Sequence, residues 1–303
     1  MKRICCIILL MVFIATSLTG CVLLKRKKYV NNLAGGEALY DVNEAMGSHF
    51  RDRSSYDNGV RFRKYVIDET GTYKYAVLCF YRNVLVGKSR AVCEYAADEQ
   101  NLVNETMAEM ELFERMIPML GLSVSKIKPL DYKGKFSLRG IVIGAPLPKK
   151  VQPCPGQSIT TVPQIDVGRT CVTKFYTDSA KLEVHNLPPI GIDGNMVLDM
   201  ENGKVDNLYF FVEKYAEPGL GDKLLDLIVG KFGKPQRFTK NRVADDKGRY
   251  HIKKVGIWNI RGDLLYVSTY AEHAKRPILI AVNDYFIDRA KSKKKESGYT
   301  DNL

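Results

Sequence analysis

The first 21 residues constrain the rest of the chain most, because they indicate the compartment in which it folds. Lys2 and Arg3 precede an uninterrupted apolar run, ICCIILLMVFI, which is followed by the small and polar residues ATSLTG and then by Cys21. A basic start, a short apolar core and a small-residue exit are typical of a secretory signal peptide. The run is too short for a spanning helix, which needs about 20 apolar residues. We therefore expect residues 1–20 to be removed after export.

The residues at the expected cleavage point indicate a lipid anchor. Leu18, Thr19, Gly20 and Cys21 resemble the lipobox of bacterial lipoproteins, with Thr as a tolerated variant at the second position. The resemblance implies that the signal is cut before Cys21, that a diacylglycerol is attached to its sulfur, and that its new amino group is often N-acylated. We expect no cofactor other than this covalent lipid. An ordinary cleaved signal with a chance cysteine, and an uncleaved signal anchor, are the alternatives.

Four basic residues follow the cysteine, within a predicted lipidated tether over residues 21–35: Lys25, Arg26, Lys27 and Lys28. At the level of the headgroups, each basic side chain adds roughly 1 kcal/mol of attraction to anionic lipid. A solvated tether without lipid contact is the alternative. In a bacterium with two membranes, Val22 after the cysteine resembles the pattern of lipoproteins sent to the outer membrane. We therefore expect an outer-membrane protein that faces the periplasm.

The charge of the chain limits its partners. The formal net charge is +12, and loss of Lys2 and Arg3 with the signal leaves +10 on 283 residues. That balance favours anionic neighbours such as lipid headgroups, lipopolysaccharide, peptidoglycan or an acidic protein surface. We do not expect nucleic acid as a partner, because the chain carries an export signal and no nucleic-acid-binding motif.

The cysteines that remain after export predict two disulfides. Cys79, Cys93, Cys154 and Cys171 form an even set, which in an oxidising compartment indicates bridges, and four cysteines allow three pairings. We favour the local pairs Cys79–Cys93 and Cys154–Cys171, because loops of about 15 residues each contribute about 3 kcal/mol through chain entropy. One alternative is a zinc site, although the chain lacks the Cys-x-x-Cys spacing typical of such sites. The other is that the four cysteines are buried free thiols.

Residues 36–121 read as an N-terminal helix-plus-sheet domain. Leu39, Val42 and Met46 lie at helical spacing before Gly47. Three β-like runs follow, GVRFRKYVI, TYKYAVLCFY and VLVGKSRAVCEY, with a turn at Arg82-Asn83, and they place both Cys79 and Cys93 on strands. A clear amphipathic helix, DEQNLVNETMAEMELFERMIPMLG, ends the domain, and residues 122–135 form a predicted linker.

Residues 136–288 read as a C-terminal helix-plus-sheet domain, followed by a flexible basic tail over residues 289–303. A short strand leads into a proline-rich loop over residues 144–171. A hairpin, NMVLDMENGKVDNLYFFVE, turns at Asn202-Gly203, and a helix, GDKLLDLIVGKFGKP, ends at Gly233. The strands RYHIKKVGIWNI, LLYVSTY and PILIAVNDYFI complete the domain. The predicted fold class is therefore α+β, with two small domains of antiparallel sheet and packed helices.

The two halves share an order of helix, glycine stop, polar loop and antiparallel strands. This order, with the FGKP stop at residues 232–235, resembles the small helix-plus-three-strand domain of the barrel-assembly lipoproteins of the outer membrane. The tandem arrangement resembles the β-lactamase inhibitor proteins. The resemblance implies a non-enzymatic binding module whose concave sheet meets a protein partner. It carries over no functional residues.

The sequence indicates no catalytic residue and no metal site. Four histidines, at positions 49, 185, 251 and 273, lack metal-ligand spacing, and no Gly-x-Ser-x-Gly nucleophile motif is present. Trp258, Arg261 and Asp263 are candidate interface residues. Arg261, Gly262 and Asp263 resemble the integrin-binding tripeptide, although a Gly-Asp turn explains them more simply. Trp258 suits either a packed sheet face or an exposed binding surface.

The sequence therefore predicts a lipid-anchored bacterial envelope protein that acts as a binding or scaffolding module. Its expected contacts are the membrane, an envelope protein partner, and anionic lipid or glycan, through the sheet faces and the proline-rich loop. Two alternatives stay open. One is an envelope hydrolase acting on peptidoglycan or lipid, which requires a convergent acid, base or nucleophile. The other is a surface-exposed lipoprotein that interacts with a host.

Overall fold

A computed structural model describes residues 22, 24–47, 50–53, 58–68, 74–119, 134–187, 191–213, 219–244, 248–271 and 273–283. The predicted signal peptide, Cys21, most of the predicted linker and the predicted tail lie outside these ranges. Over the described residues the protein is α+β, with four helices and three sheets that are almost wholly antiparallel, as the sequence predicts. No helix in these ranges is long and apolar enough to cross a bilayer.

The chain divides into two compact units. The first comprises residues 1–101 and 156–163, and the second comprises residues 102–155 and 164–303. The boundary falls inside a long helix and not in the predicted linker at residues 122–135. This helix buries Ala96 and Ala97 in its first part, and Val103, Met110 and Phe113 in the core of the second unit.

The first unit contains a four-stranded antiparallel sheet in the order β1-β2-β3-β4. Its helices are α1 over residues 24–32, α2 over Leu39–Met46, and the start of α3, which spans Arg90–Met119. Its strands are β1 (Phe50–Arg53), β2 (Val60–Asp68), β3 (Lys74–Tyr81) and β4 (Val84–Gly87). As predicted, Arg82 and Asn83 form the β3–β4 turn, both with positive φ.

Helix α2 packs as its apolar spacing predicts. Leu39, Val42 and Met46 are buried in one cluster with Leu78 and Phe80 of β3. The helix ends at Gly47, whose φ of 74° is available to glycine without strain and whose N–H donates to the carbonyl of Asn43.

The segment predicted as a tether is shorter than expected. Residues 24–32 are helical, and Val30 and Leu33 are buried in the same core as α2. Because these apolar side chains pack in the core, the folded first unit begins well before residue 35. Lys25, Lys27 and Lys28 remain exposed on α1, and Arg26 is half-buried.

The third predicted strand of the first unit is wrong beyond Gly87, because α3 begins at Arg90. Ser89 initiates the helix: its hydroxyl oxygen accepts from the N–H of Val92, and its carbonyl accepts from the N–H of Cys93. Cys93 therefore lies on a helix and not on a strand. The sequence VLVGKSRAVCEY does not reveal the change from strand to helix, because residues 91–93 have the composition of a strand.

The second unit is built on a nine-stranded sheet in the order β12-β13-β14-β15-β11-β10-β9-β8-β7, antiparallel except for the β7–β8 pair. Its central strands are β9 (Lys181–His185), β10 (Gly194–Glu201), β11 (Lys204–Val212), β14 (Asp263–Ser268) and β15 (Ile278–Val282). The outer strands are β7 (Gln152–Pro153), β8 (Cys171–Lys174), β12 (Arg237–Ala244) and β13 (Tyr250–Ile260). The two-residue strands β5 (Ser137–Leu138) and β6 (Ile141–Val142) form a separate pair, and α4 spans Leu220–Phe232.

Both faces of the large sheet are covered, so β14 and β15 are buried along their whole length and β11 is buried at every residue except Lys204. On one face, Leu224 and Ile228 of α4 pack in a cluster with Leu265 and Val267. On the other face, Phe113 of α3 packs against Tyr266, with ring centroids 5.1 Å apart. Alternation along a strand therefore separates two buried faces here, and not a buried face from an exposed one.

Candidate functional site

The two disulfides have the local pairing that the sequence favours. Cys79 on β3 is bonded to Cys93 on α3, and Cys154 is bonded to Cys171 at the start of β8. The second bridge holds the proline-rich segment, which has no regular structure between residues 144 and 170 apart from β7 and a bridge between Ser158 and Thr161.

The structure does not present Trp258 or Asp263 as an interface. Trp258 has no exposed surface, and its indole N–H donates to the carbonyl of Gly233 at 2.9 Å. Asp263 is 7% exposed, whereas Arg261 lies exposed in the β13–β14 turn. The positive φ of Arg261 and Gly262 is that of a tight hairpin turn, which accounts for the tripeptide without a partner.

The β12–β13 hairpin of the second unit exposes a cluster of apolar and basic side chains. Phe238, Tyr250 and Ile252 are 51%, 64% and 52% exposed. The pairing of the two strands places these three on one side with Lys240 and Arg242, since Phe238 opposes Gly256 and Arg242 opposes Ile252. These five residues are called the hairpin face below.

The hairpin face continues the sheet surface that α4 covers. Lys254 lies on the same side of β13 and pairs with Asp222 of α4 at 2.9 Å, which marks where the helical cover ends. Arg242 stacks over the Tyr250 ring, 3.9 Å from its centroid. Strands β12 and β13 contain no acidic residue, so the surface is cationic and aromatic.

A second described feature is a polar row across the opposite face of the same sheet. Lys181, Asp199 and Asn207 lie directly opposite one another on the neighbouring strands β9, β10 and β11. Asp199 receives an ion pair from Lys181, a hydrogen bond from the Asn207 amide at 3.2 Å, and one from the Tyr209 hydroxyl at 2.9 Å. Three donors from the two neighbouring strands β9 and β11 therefore converge on this one carboxylate.

His185 lies at the other end of β9 from Lys181 of this row. Its Nε2 lies 2.9 Å from the Thr173 hydroxyl and 3.9 Å from a carboxylate oxygen of Glu183. Burial lowers the pKa of His185 below its ordinary value, and the negative charge of Glu183 opposes that shift. A nucleophile–histidine–acid relay needs the nucleophile and the acid on different ring nitrogens. Here the Thr173 hydroxyl and the Glu183 carboxylate both lie near Nε2, so these three residues do not form such a relay.

The two other described histidines have partners elsewhere. His251 stacks on the Tyr270 ring at 4.7 Å, the backbone N–H of His273 donates to Glu109, and His49 lies outside the described residues. Within the described ranges, no three His, Cys, Asp or Glu side chains come together in a group that could hold a metal ion.

In the first unit, a shallow basic pocket of about 350 Å³ is lined by Arg61, Tyr81, Arg82, Asn58 and Asn83. Arg82 lies over the Tyr81 ring at 5.3 Å, and Arg61 approaches the Asn83 side chain at 3.4 Å. The lining contains two guanidinium groups and no carboxylate. Guanidinium donors in this setting suit phosphate or carboxylate oxygens.

Comparison with protein-family models, with curated proteins and with solved structures found no match for this chain.

Sequence reasoning missed the hairpin face and the polar row for different reasons. The run RFTKNRVA lacks the alternation that marks a half-buried strand, because most of β12 is exposed on both sides. The polar row draws residues from three strands, so no spacing reveals it. Asp199 and Asn207 are two of several polar residues in the β10–β11 hairpin, so their types alone do not single them out.

Proposed function

We propose that this protein is a bacterial lipoprotein, anchored through lipid on Cys21 to the periplasmic face of the outer membrane, that acts as a non-enzymatic binding or scaffolding module. The anchor is supported by the signal-like leader and the lipobox resemblance. The two disulfides support an oxidising compartment, where such bridges persist.

The hairpin face is the observation that carries the binding role. Two aromatic rings and an isoleucine, all more than half exposed, are clustered with two cations on a hydrogen-bonded pair of strands. Clustered exposed apolar side chains beside polar ones mark interaction sites. Aromatic and arginine side chains also dominate the energetics of protein interfaces.

The chemistry of the hairpin face favours an acidic protein partner. Lys240 and Arg242 attract carboxylates, while Phe238, Tyr250 and Ile252 supply apolar area. Strand β12 is at the edge of the sheet, and no described strand pairs with its outer side. An extended acidic segment added at this edge would gain main-chain hydrogen bonds as well as side-chain contacts. Basic residues on an edge strand also discourage self-association, which is the simpler role.

The basic pocket of the first unit supports a further contact with anionic lipid or glycan. Arg61 and Arg82 lie in the unit that follows the anchor in the chain, and the exposed lysines of α1 belong to the same unit. This contact adds to the covalent lipid and does not replace it, since surface cations contribute roughly 1 kcal/mol each.

The binding role is tested by photocrosslinking from the hairpin face in living cells. A photoreactive amino acid at position 238 is expected to give a protein adduct of discrete mass, whereas the same group at Tyr40, an exposed aromatic of the first unit, gives none. Reversing the nearby charges with Lys240→Glu and Arg242→Glu is expected to abolish the adduct. Equal adducts from positions 238 and 40, or an adduct insensitive to charge reversal, would contradict the proposal.

A further inference from the structure

Helix α1 begins almost at the residue proposed to carry the lipid. Residue 22 is already helical, and α1 continues over residues 24–32. Three residue steps of at most about 3.6 Å join Cys21 to Leu24, so their Cα atoms lie within about 11 Å of one another. This distance is close to the Debye length, which is about 10 Å at an ionic strength of about 0.1 M. Charges on α1 are therefore near enough to a membrane that holds the lipid to be attracted by its headgroups.

Helix α1 is held in the first unit through its side chains and its backbone. Val30 and Leu33 are 8% and 5% exposed, and they pack in one cluster with residues of α2 and β3. The ammonium group of Lys88 donates to three carbonyls at the end of the helix, those of Val30, Asn31 and Leu33, at 3.3, 3.1 and 2.7 Å. One face of α1 is therefore fixed against the core, and the opposite face is left on the surface of the unit.

The exposed face of α1 is cationic and has an apolar residue at one end. At about 100° per residue, Leu24, Lys28 and Asn31 fall within an arc of about 60° that lies opposite the buried residues. Lys25 and Lys27 lie on either side of this arc. Leu24 is 70% exposed, and the other four side chains are exposed as well. These five residues are called the α1 face below, and no Asp or Glu occurs within residues 22–33.

Two carboxylates act on α1 from the side that carries Tyr29. Burial, and then the negative charges of Glu37 and Asp41, raise the pKa of Tyr29, which is half-buried at the border of the α1 face. The carboxylate of Glu37 already accepts from the backbone N–H groups of Ala34 and Gly35 at 2.7 and 2.9 Å. The three lysines of the α1 face therefore outnumber the carboxylates that flank it.

The composition of the α1 face matches the surface of an anionic bilayer. Amphipathic helices that lie in a membrane interface combine basic side chains with exposed apolar ones. Leu24, and Val22, which is 48% exposed, are next to the residue that carries the proposed lipid. Lysine stems extend their ammonium groups toward the headgroups from such a position. An acidic protein also matches the charge, but the lipid holds a bilayer within reach of this face, and no such constraint places a protein there.

We propose that the α1 face lies on an anionic bilayer and orients the first unit there, in addition to the lipid on Cys21. This contact rests on the lipid anchor proposed above, because the acyl chains bring the membrane to α1. The contact turns the far side of the four-stranded sheet away from the membrane. Ala76 and Leu78 of β3 face the core that contains α1, whereas Tyr75, which is 42% exposed, lies on the opposite side of the strand.

The test is photocrosslinking to lipid with the lipidated full chain, purified from membranes and reconstituted into vesicles. The vesicles consist of phosphatidylcholine alone or of phosphatidylcholine with phosphatidylglycerol. A photoreactive amino acid replaces Asn31, about 10 Å along the helix from Leu24, so that an adduct reports contact of the whole face and not of the anchor alone. The matched control carries the same group at Tyr75. We expect a lipid adduct from position 31 on anionic vesicles, several-fold less on neutral vesicles, and none from position 75 on either.

Lysine substitutions assign the contact to charge. The triple change Lys25→Gln, Lys27→Gln and Lys28→Gln is expected to lower the adduct yield from position 31 at least fivefold on anionic vesicles. One basic side chain near anionic lipid corresponds to about a fivefold change in association. The control removes the same charge from exposed lysines of the second unit and is expected to keep the yield. Its three lysines, each replaced by glutamine, are Lys149, Lys150 and Lys204.

Flotation with neutral vesicles separates the α1 contact from the anchor. Protein that does not float with them carries no effective anchor, which contradicts the proposed function and the α1 contact together. Protein that floats but gives no adduct from position 31, equal adducts from positions 31 and 75, or an adduct insensitive to the lysine changes keeps the anchor and overturns the α1 contact. In intact cells, a protein adduct from position 31 in place of a lipid adduct would also overturn it, because the face would then belong to a protein partner.

Discussion

At the residue scale, two glycines of α4 show how closely this helix approaches the sheet. A Cβ at Gly221 would lie 2.6 Å from the carbonyl oxygen of Thr269, which belongs to the backbone and cannot move aside as a side chain does. A Cβ at Gly230 would meet nothing within 4 Å. The same residue type therefore has opposite roles nine positions apart in one helix.

This contrast gives a paired stability prediction. Gly221→Ala is expected to destabilise the protein by about 1–3 kcal/mol, because the helix has to shift away from the sheet. Gly230→Ala is expected to stabilise it by about 0.5–1 kcal/mol, because alanine loses less backbone entropy in a helix. Both values are read from denaturant unfolding, and a similar change in both variants would contradict the close approach.

A second residue-scale prediction concerns His185. Because burial lowers its pKa below the ordinary value of 6.5, the unfolded chain takes up a proton at a higher pH than the folded protein does. The free energy of unfolding therefore gains a contribution that is present above about pH 6.5 and is lost as the pH falls toward the folded pKa. We expect wild type to lose more stability than His185→Gln between pH 7 and pH 5. Parallel losses in the two proteins would show that His185 is not responsible.

At the element scale, one disulfide joins two regular elements and the other fastens an irregular segment. Cys154–Cys171 spans 17 residues of mostly irregular chain, and Cys79–Cys93 spans 14 residues between β3 and α3. Loops of these lengths correspond to about 3 kcal/mol each in the chain-entropy account.

The element-scale prediction is that each bridge stabilises independently. Replacing Cys154 and Cys171 by alanine is expected to lower the free energy of unfolding by about 3 kcal/mol, and replacing Cys79 and Cys93 by a similar amount. Denaturant unfolding of each double variant measures this, with and without a reductant. A reductant that destabilises wild type but not the four-alanine variant agrees with the prediction, whereas no effect on wild type contradicts it.

The elements that the sequence predicts best are those with a strong period and a marked end. Helices α2 and α4 combine three apolar residues on one face with a terminal glycine, and the β10–β11 hairpin has an Asn-Gly turn. The sequence did not predict β12, because exposed strands lack a hydrophobic period, or the start of α3, because a strand-like apolar run conceals the Ser89 cap. Hydrophobic periodicity indicates a helix or strand when one of its faces is buried and the other is exposed. It gives no such signal when both faces are buried or both are exposed.

The hairpin face belongs to this scale as well, and its side chains are expected to serve binding without serving the fold. Phe238→Ser and Tyr250→Ser are expected to change the free energy of unfolding by less than about 0.5 kcal/mol, since both side chains are more than half exposed. Trp258→Ser, on the same side of the sheet but fully buried, is the contrasting variant and is expected to unfold the protein or cost several kcal/mol. Large destabilisation by either of the first two variants would assign the hairpin face a structural role.

At the scale of the whole molecule, the fold class and the disulfides follow from the sequence, but the candidate sites do not. Cysteine parity and loop length led to the pairing, and alternating and helical periods led to the α+β class. The polar row depends on strand register, which brings Lys181, Asp199 and Asn207 together although 26 positions separate the first from the last. The register between these strands is set by long-range packing, so it cannot be read from the local sequence of any one strand.

The central claim, that this is a lipid-anchored envelope protein, is tested most directly by metabolic labelling with an alkyne fatty acid. Wild type and Cys21→Ala are expressed in parallel, and inner and outer membranes are separated. We expect label on wild type in the outer membrane and none on Cys21→Ala, because the proposal places the diacylglycerol on the sulfur of that residue. Unlabelled wild type that fractionates as soluble periplasmic protein, or label that persists in Cys21→Ala, would contradict the account.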